Sequence, residues 1–144
     1  MEIREILLLK SDEIHRIAPT DSVAEAVVKM VGLGIGSLVV MQDKEMVGFI
    51  TERDIVKGMV KYGCDLKDAQ VSTIMVTEPL VASPADSVDY ARDVLTKSHL
   101  GHLLVMEGEQ LLGVISFHDL AHASLKEANF ENSLLKRYIK HWPE

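Results

Sequence analysis

The chain is poor in the features that several classes of protein need. It holds one cysteine, Cys64, in 144 residues, so it cannot form an internal disulfide, and nothing requires an oxidising compartment. It has no apolar run near the roughly 20 residues that a membrane-spanning helix needs. A secretory signal is not expected, because charge appears early and the apolar stretch at residues 6–9 is too short. We therefore expect a soluble, cytoplasmic protein with no membrane partner.

Basic residues are also in short supply. Lys and Arg total 15 against 22 Asp and Glu, which gives a formal net charge of −7 and a pI near 5.3. A field of that sign repels phosphate polymers, so we expect no nucleic-acid partner, although local groups can still hold a small anionic ligand. Apolar residues make up 47% and charged residues 26% of the chain, which excludes disorder. The length suits one globule or two joined half-domains.

The chain carries one pattern twice. Residues 48–54, Gly-Phe-Ile-Thr-Glu-Arg-Asp, recur 65 positions later as residues 113–119, Gly-Val-Ile-Ser-Phe-His-Asp. The same offset relates Pro19 to Pro84, Asp21-Ser22-Val23 to Asp86-Ser87-Val88, Ala26 to Ala91, Gly36 to Gly101, and residues 38–41 to 103–106. An ungapped repeat of this period defines the architecture. We expect two units related by pseudo-two-fold symmetry, with two equivalent clefts in which to look for function.

Each repeat is predicted to fold as strand, helix, strand, strand, helix, which makes the fold class α+β. In the first repeat Ser22 offers an N-cap oxygen and Glu25 completes a capping box, so a helix is expected to follow. We predict strands at 13–17, 37–41 and 46–50, and a second helix from Thr51 to about Lys61. Residues 38–40 are all apolar, so their strand should be central and covered on both faces. The second repeat runs over about 80–125.

A linker, the leading segment of each repeat and the C-terminal tail fall outside the common pattern. Residues 62–70 are predicted to form a linker, and residues 71–75 echo residues 3–7 at an offset of 68 instead of 65. Each repeat therefore has a leading segment of variable length. We divide the chain into repeat 1 at 1–64, repeat 2 at 65–125 and a C-terminal amphipathic helix at 126–144.

The C-terminal helix is predicted from apolar residues at three- and four-residue spacings, and it should end at Pro143. These residues are Phe130, Leu134, Leu135, Tyr138, Ile139 and Trp142. A helix of about 13 residues is marginal alone, so its apolar stripe must cover some surface. That surface is either the chain's own domain or a dimer or partner contact, and the sequence leaves both open.

A hydroxyl and a carboxylate stand three residues apart at the start of a predicted helix in each repeat. Thr51 and Asp54 lie in a first turn, where free backbone N–H groups and the positive end of the helix dipole favour a phosphate. The Asp54 carboxylate lies on the same face and can accept two hydroxyls, such as the vicinal diol of a ribose. Arg53 can reach a phosphate, and Gly48 removes a side chain from the preceding strand.

Ser116, His118 and Asp119 repeat this arrangement, with His118 in place of Arg53. A simpler interpretation is that Thr51 and Ser116 cap their helices, and that the aspartates favour the dipole. From this segment alone, helix capping and nucleotide binding both stay open.

The pattern resembles a tandem pair of cystathionine β-synthase (CBS) domains, a Bateman module, up to about Leu125. Three motifs carry the resemblance in each repeat, in the same order and at one spacing. They are Pro-x-x-Ser-Val-x-x-Ala from Pro19 and Pro84, Gly-x-Leu-x-Val from Gly36 and Gly101, and Gly-x-Ile-Thr/Ser-x-x-Asp from Gly48 and Gly113. The chain departs from the family at Val39 and Leu104, where proline is frequent, and at Gln42 and Glu107, where aspartate is frequent. These positions lie off the expected ligand contacts.

The resemblance implies a regulatory module that binds an adenine nucleotide (AMP, ADP or ATP) or S-adenosylmethionine in clefts between the repeats. It favours nucleotide binding over helix capping alone. It also implies a homodimer formed through helix faces and an energy-sensing shape change read by an unidentified protein partner. Since we find no effector domain, we expect action in trans or through the dimer. S-adenosylmethionine lacks a phosphate and would use Arg53 less, so we favour the phosphorylated ligands.

The resemblance further implies that each cleft takes base contacts from one repeat and its ribose-binding aspartate from the other. One cleft would use Ser11, His15, Ile35 and Gly36 with Val114, Ser116 and Asp119. The other would use Thr77, Leu80, Leu100 and Gly101 with Phe49, Thr51 and Asp54. Ile35 and Leu100 also fit a plain core role, and the leading-segment positions are where the repeats differ in length.

Histidines concentrate in the second repeat, at His99, His102, His118 and His122. His118 and His122 are one helical turn apart and can share a metal, but no cysteine supports such a site. We expect no metal and no cofactor, and a phosphate-facing role for His118. We also expect no enzyme, because no nucleophile–base set and no Gly-rich phosphate loop is present. The alternative function is a ligand-free scaffold that works through its dimer surface and tail helix.

Overall fold

Capped helices and hairpin-linked strands follow one another in the order that the repeat predicts, and the α+β fold class is confirmed. The computed structural model describes residues 1–10 and 13–140. In chain order the elements are α1 (Ile3–Leu9), β1 (Arg16–Ile17), α2 (Val23–Leu33), β2 (Ser37–Gln42), β3 (Glu45–Thr51), α3 (Glu52–Tyr62), β4 (Val81–Ala82), α4 (Val88–Ser98), β5 (His102–Glu107), β6 (Gln110–Ser116) and α5 (Phe117–Lys140). Two 3₁₀ helices, Gly63–Asp68 and Val71–Thr73, lie between α3 and β4.

The described residues form two units, each built around one three-stranded sheet. Glu13–Leu80 make up the N-unit, which contains the sheet β1-β2-β3. Residues 1–10 and 81–140 make up the C-unit, which contains the sheet β4-β5-β6. The packing therefore divides the chain differently from the sequence repeat, because each leading segment joins the unit of the other repeat.

The apolar strand β2 is central in the N-unit, as its sequence predicts. It pairs in parallel with β1 and antiparallel with β3. Residues 38–40 are fully buried, because neighbouring elements cover both faces of this strand. β1 is shorter than the strand predicted at 13–17, since only Arg16–Ile17 lies alongside β2.

Local signals set the ends of the N-unit helices. The Ser22 hydroxyl oxygen accepts a hydrogen bond from the Glu25 amide at 3.1 Å, so the predicted N-cap is confirmed, and this bond is the half of the predicted capping box that α2 forms. α2 ends at Gly34, whose φ of 66° is left-handed and costs glycine no steric clash. Thr51 is the last residue of β3 and the N-cap of α3 rather than its first helical residue.

Each strand and helix of the first repeat has a counterpart in the C-unit that begins 65 positions later. The strands β4, β5 and β6 pair with the same directions and register, and a bulge follows Val105 as one follows Val40. His99 takes the left-handed conformation at the end of α4, with φ of 57°, where Gly34 stands after α2. The repeat therefore keeps backbone conformation even where the residue type changes.

The two leading segments make equivalent backbone hydrogen bonds, each within its own unit. The donor and acceptor pairs are Val71 to Asp21 and Ser72 to Pro19 in the N-unit, and Ile3 to Asp86 and Arg4 to Pro84 in the C-unit. All four N···O distances lie between 2.8 and 3.0 Å. The predicted offset of 68 between the leading segments is therefore confirmed.

The segment predicted as a linker, residues 62–70, is packed structure. Its 3₁₀ helix Gly63–Asp68 leaves Leu66 only 1% exposed. Leu66 packs on α3 at Gly58, where an added Cβ would lie 2.9 Å from a Leu66 methyl carbon. This segment therefore adds to the core of the N-unit.

The helix predicted at 126–144 is the continuation of α5, which runs unbroken over Phe117–Lys140. α5 continues past the point where α3 ends because the second repeat lacks a glycine there. α3 ends at Gly63, with φ of 64°, whereas Ala128 stands at the equivalent position and gives no stop signal.

The later part of α5 extends away from the C-unit core. Its described side chains from residue 125 to residue 137 are all exposed, whereas Leu120 and Ala123 are buried. Trp142 and Pro143, which belong to the predicted tail helix, lie outside the described residues. Within the described ranges, none of the helices combines the length and apolarity that crossing a bilayer demands.

Candidate functional site

Thr51 and Asp54 form a closed capping box at the start of α3. Asp54 Oδ2 accepts hydrogen bonds from the Thr51 amide and the Thr51 hydroxyl, each at 2.9 Å. The Asp54 amide donates back to Thr51 Oγ1 at 3.3 Å. Among the described residues, Asp54 Oδ1 has no hydrogen-bond partner. The capping interpretation is therefore correct for Thr51, and the carboxylate keeps acceptor capacity for a ligand.

Ser116 and Asp119 form the same cap at the start of α5. The Ser116 amide donates to Asp119 Oδ2 at 2.9 Å, and the Asp119 amide donates to Ser116 Oγ at 3.1 Å. Both residues are half-buried. The caps engage Oδ2 in both units, so capping and ligand binding are compatible uses of the same carboxylate.

The C-unit carboxylate has a cationic neighbour that the sequence analysis missed. The Lys10 ammonium lies 2.6 Å from Asp119 Oδ2 and 2.8 Å from the carbonyl oxygen of Val114. Lys10 follows α1 directly and belongs to the same unit as Asp119. The repeat gives no signal for this contact, because Glu78 stands at the equivalent position of the other leading segment.

Lys10 and the cap together lower the pKa of Asp119. Burial of the carboxylate raises its pKa, but the hydrogen bonds from Lys10 and the Ser116 amide, with the Lys10 charge, outweigh that effect. Asp119 is therefore held in its ionised form, which accepts hydrogen bonds from hydroxyl groups.

Gly36 and Gly101, the predicted site glycines, each lie beside the hydroxyl–carboxylate pair of their own unit. The amide of Glu52 donates to the Gly36 carbonyl at 3.0 Å, and the amide of Phe117 donates to the Gly101 carbonyl at 2.7 Å. In each unit the residue after the capping hydroxyl is thus hydrogen-bonded to the segment that leads into the central strand. The structure brings Gly36 to the first turn of α3 and Gly101 to the first turn of α5.

Ile35 and Leu100 occupy equivalent positions in different environments. Their amides close α2 and α4 by bonding to the carbonyls of Met30 and Leu95, at 3.0 and 3.2 Å. The Ile35 side chain packs against the N-unit core, whereas the Leu100 side chain is 38% exposed. The partly buried Ile35 side chain thus contributes to core packing, and base contacts by Ile35 and Leu100 stay predictions.

Phe49 and Val114 lie on the edge strands β3 and β6, shortly before the capping hydroxyls. In the N-unit, the Phe49 amide and carbonyl pair with the Val76 backbone at 2.9 and 2.8 Å, and the Phe49 side chain is buried. In the C-unit the Val114 carbonyl accepts from the Lys10 ammonium. The edge-strand carbonyl at this position thus accepts a hydrogen bond from a backbone amide in the N-unit and from a charged side chain in the C-unit.

Gly48 and Gly113 allow the leading segments to approach these edge strands. An added Cβ at Gly48 would lie 2.6 Å from Met75 Sδ and 3.1 Å from the Val76 carbonyl oxygen. An added Cβ at Gly113 would lie 2.9 Å from Leu7 Cδ2. The missing side chain that the sequence analysis noted at Gly48 therefore serves close packing.

Arg53 and His118 are exposed in the first turns of α3 and α5, where a side chain can reach an anion. The His118 ring stacks on His122, with centroids 6.3 Å apart and an interplanar angle of 13°. In the part of the chain that the structure describes, no three His, Cys, Asp or Glu side chains cluster in a way that suits a metal ion.

The predicted leading-segment contacts His15 and Leu80 are half-buried residues of the N-unit. The His15 carbonyl accepts from the Val39 amide at 3.0 Å, which ties it to β2. Ser11 lies outside the described residues, and Thr77 is exposed. The prediction that each site combines residues of both repeats stays a prediction.

Curated relatives match most of this chain. A relative from Arabidopsis thaliana, CBS domain-containing protein CBSX3, mitochondrial, is 30% identical over 125 residues, which are 83% of this chain and 61% of that protein. The arabinose 5-phosphate isomerase KdsD of Yersinia pestis is 28% identical over 129 residues, 85% of this chain and 39% of the isomerase. The chain thus spans less than two thirds of the length of these relatives.

Solved structures share the fold. The CBS-domain containing protein ATU1752 from Agrobacterium tumefaciens matches with a TM-score of 0.81 and 27% identity, over 85% of this chain and 92% of that one. The CBS domain pair of protein MJ0100, in complex with 5′-methylthioadenosine and S-adenosyl-L-methionine, matches with a TM-score of 0.75 and 19% identity, over 88% and 98% of the two chains. The family model of the CBS domain matches residues 3–61 and 71–126. The chain therefore belongs to the CBS domain family and carries two copies of the domain.

Proposed function

We propose that this CBS-domain pair binds an adenosine-containing ligand at the carboxylates of Asp54 and Asp119. CBS-domain pairs are regulatory proteins. We propose which ligand this pair binds and which residues bind it. The observation that carries it is the duplicated cap, in which the helix start engages one carboxylate oxygen and the other oxygen has no donor among the described residues.

The chemistry of a ribose fits such a carboxylate. The 2′- and 3′-hydroxyls of a ribose are adjacent donors, and an ionised carboxylate offers about four acceptor positions on two oxygens. The cap holds each aspartate in place before a ligand arrives, so little side-chain freedom is lost on binding. In the C-unit the low pKa of Asp119 keeps its carboxylate ionised.

Phosphorylated adenosine ligands suit the surroundings better than uncharged ones. Arg53 and His118 project from the first turns of α3 and α5, and the N-terminal end of a helix attracts anions. The MJ0100 pair holds 5′-methylthioadenosine and S-adenosyl-L-methionine, which share the adenosine group with AMP, ADP and ATP. We favour AMP, ADP or ATP for this chain because its helix starts carry Arg53 and His118.

We propose that the module regulates a partner and catalyses no reaction itself. Most of the isomerase lies outside the match, which covers 39% of that enzyme, so the match gives no reason to assign its catalysis to the shared region. A ligand can shift the shape of the module only by its differential affinity for two states. A cytoplasmic location, an energy-sensing role and an unidentified protein partner belong to the same proposal.

A thermal-shift experiment tests the ligand. AMP or ATP at about 100 times its dissociation constant should stabilise the fold by about 2.7 kcal/mol for each occupied site and raise the melting temperature by several degrees. The double variant Asp54→Asn with Asp119→Asn should lose this response and stay folded, because asparagine keeps an acceptor oxygen for the cap. Asp43→Asn removes one charge at a hairpin turn and serves as control. An unchanged response in the double variant would count against the two carboxylates.

A second candidate function is a scaffold that works through the later part of α5. Among the described side chains there, the large apolar ones are exposed: Phe130 at 65%, Leu134 at 47% and Leu135 at 58%. Such a stripe fits a homodimer or partner contact. A chain truncated after Leu125 separates the candidates. A sensor keeps its thermal response to AMP, whereas a scaffold loses its self-association, measured by light scattering, and shows no nucleotide response in either form.

A further inference from the structure

Lys10 makes the two proposed sites chemically unequal. In the N-unit, the edge-strand carbonyl of Phe49 accepts from the backbone amide of Val76. In the C-unit, the equivalent carbonyl of Val114 accepts from the Lys10 ammonium, which also contacts the carboxylate. At the position equivalent to Lys10, the other leading segment carries Glu78, a residue of opposite charge.

The Lys10 ammonium occupies an acceptor that a ligand would use. Asp119 Oδ2 already accepts from the Ser116 amide, and Lys10 adds a second donor 2.6 Å away. A diol that bonds to both carboxylate oxygens must therefore share or displace Lys10. Displacement is feasible, because the Lys10 side chain is 36% exposed and lysine carries its charge on a flexible four-carbon stem.

The N-unit carboxylate has no such competitor within the described residues. The donors to Asp54 Oδ2 are the amide and hydroxyl of Thr51, which belong to the cap itself. A hydroxyl can rotate its hydrogen to another acceptor and accept in turn. An ammonium lacks that freedom, because it has donors and no acceptor.

We propose that Lys10 determines which ligands the C-unit accepts, by competing with the ribose diol for Asp119 and pairing with an anionic group of the ligand once released. This inference rests on the proposed function, because it concerns the same carboxylate. An uncharged nucleoside separates the Lys10–Asp119 ion pair without replacing it. A nucleoside 5′-phosphate supplies a new anion for the ammonium, so the C-unit prefers a nucleoside 5′-phosphate to the uncharged nucleoside.

Titration calorimetry with AMP and adenosine tests the proposal in a chain that carries Asp54→Asn, so that the C-unit carboxylate is the intact one. AMP should bind about tenfold more tightly than adenosine in this background. With Lys10→Met added, adenosine should bind severalfold more tightly and AMP more weakly, which brings the two affinities within about twofold. Lys10→Arg keeps the cation and should keep the preference.

Lys97→Met is the matched control, because it removes the same charge from an exposed position of the C-unit at the end of α4. It should leave the ratio of AMP to adenosine affinity unchanged. An equal ratio with and without Lys10→Met would overturn the inference and leave the proposed function standing. Failure of both AMP and adenosine to bind any variant, including the natural chain, would overturn the proposed function and this inference with it.

Discussion

The two units hydrogen-bond the edge strand of their sheet through different groups. Both place an edge strand before a capped helix, and both bring a leading segment against that strand at a glycine. The N-unit satisfies the strand with a backbone bridge between Phe49 and Val76, whereas the C-unit uses the side chain of Lys10 on Val114. A bridge of two backbone hydrogen bonds is fixed by the fold, but an ion pair responds to ligand, salt and pH. The two units therefore share their backbone geometry. They differ in the group that bonds to the edge strand, and only in the C-unit does that group, the Lys10 ammonium, also contact the proposed ligand-binding carboxylate.

The largest contrast should appear when each edge glycine is changed to alanine. Gly48→Ala should destabilise the fold by about 1–3 kcal/mol, because the new methyl group meets the Val76 backbone as well as the Met75 side chain. Gly113→Ala should cost less than about 1 kcal/mol, because it meets only the flexible end of Leu7. Urea unfolding measures both. Equal losses would show that the two edges are packed alike.

The ends of α2 and α4 give a smaller contrast. Gly34→Ala should destabilise by about 1 kcal/mol, because alanine is strained at a left-handed φ. Gly32→Ala is the control: it lies two positions earlier inside α2 with open space around it, and it should stabilise by about 0.5–1 kcal/mol. Thermal unfolding of both variants checks the signs. His99 already tolerates this conformation in α4, so a neutral Gly34→Ala would mean that the strain is relieved locally.

The smallest contrast concerns pH. The pKa of Asp119 is lower in the folded chain than its ordinary value, so its contribution to stability is present above about pH 4 and is lost as the pH falls through the folded value. Lys10→Met should therefore lower stability by about 0.5–1 kcal/mol near neutral pH, after allowance for solvent screening. The difference from the natural chain should shrink below about pH 4. Urea midpoints at pH 7, 4 and 3 measure it, and a difference independent of pH would contradict the ion pair.

The repeat made most of the fold predictable from sequence. An offset of 65 identified each strand and helix of the second repeat from the first, because the same caps and apolar spacings recur. The central position of residues 38–40 followed from their composition, and the cap at Ser22 from its hydroxyl. The three-residue spacing of a hydroxyl and a carboxylate predicted that the two groups lie together at the start of α3 and of α5.

Contacts between segments distant in sequence were not predictable. Lys10 meets Asp119 across 109 positions, and periodicity carries no information about such a pair. The length of α5 depended on a missing signal, since Ala128 stands where Gly63 ends α3. Residues 62–70 are predicted to form a linker, yet one residue in it, Leu66, is buried in the core. The misses at Lys10 and Leu66 reflect tertiary packing that overrides a local pattern, whereas the length of α5 reflects a stop signal that one repeat has and the other lacks.

The stoichiometry of AMP binding tests the central claim most directly. Titration calorimetry should find two AMP molecules per natural chain, one for Asp54→Asn, one for Asp119→Asn, and none for the double variant. The account predicts this sequence because each carboxylate belongs to one site. Two AMP molecules bound by the double variant would contradict it, since the ligand would then be held without either aspartate.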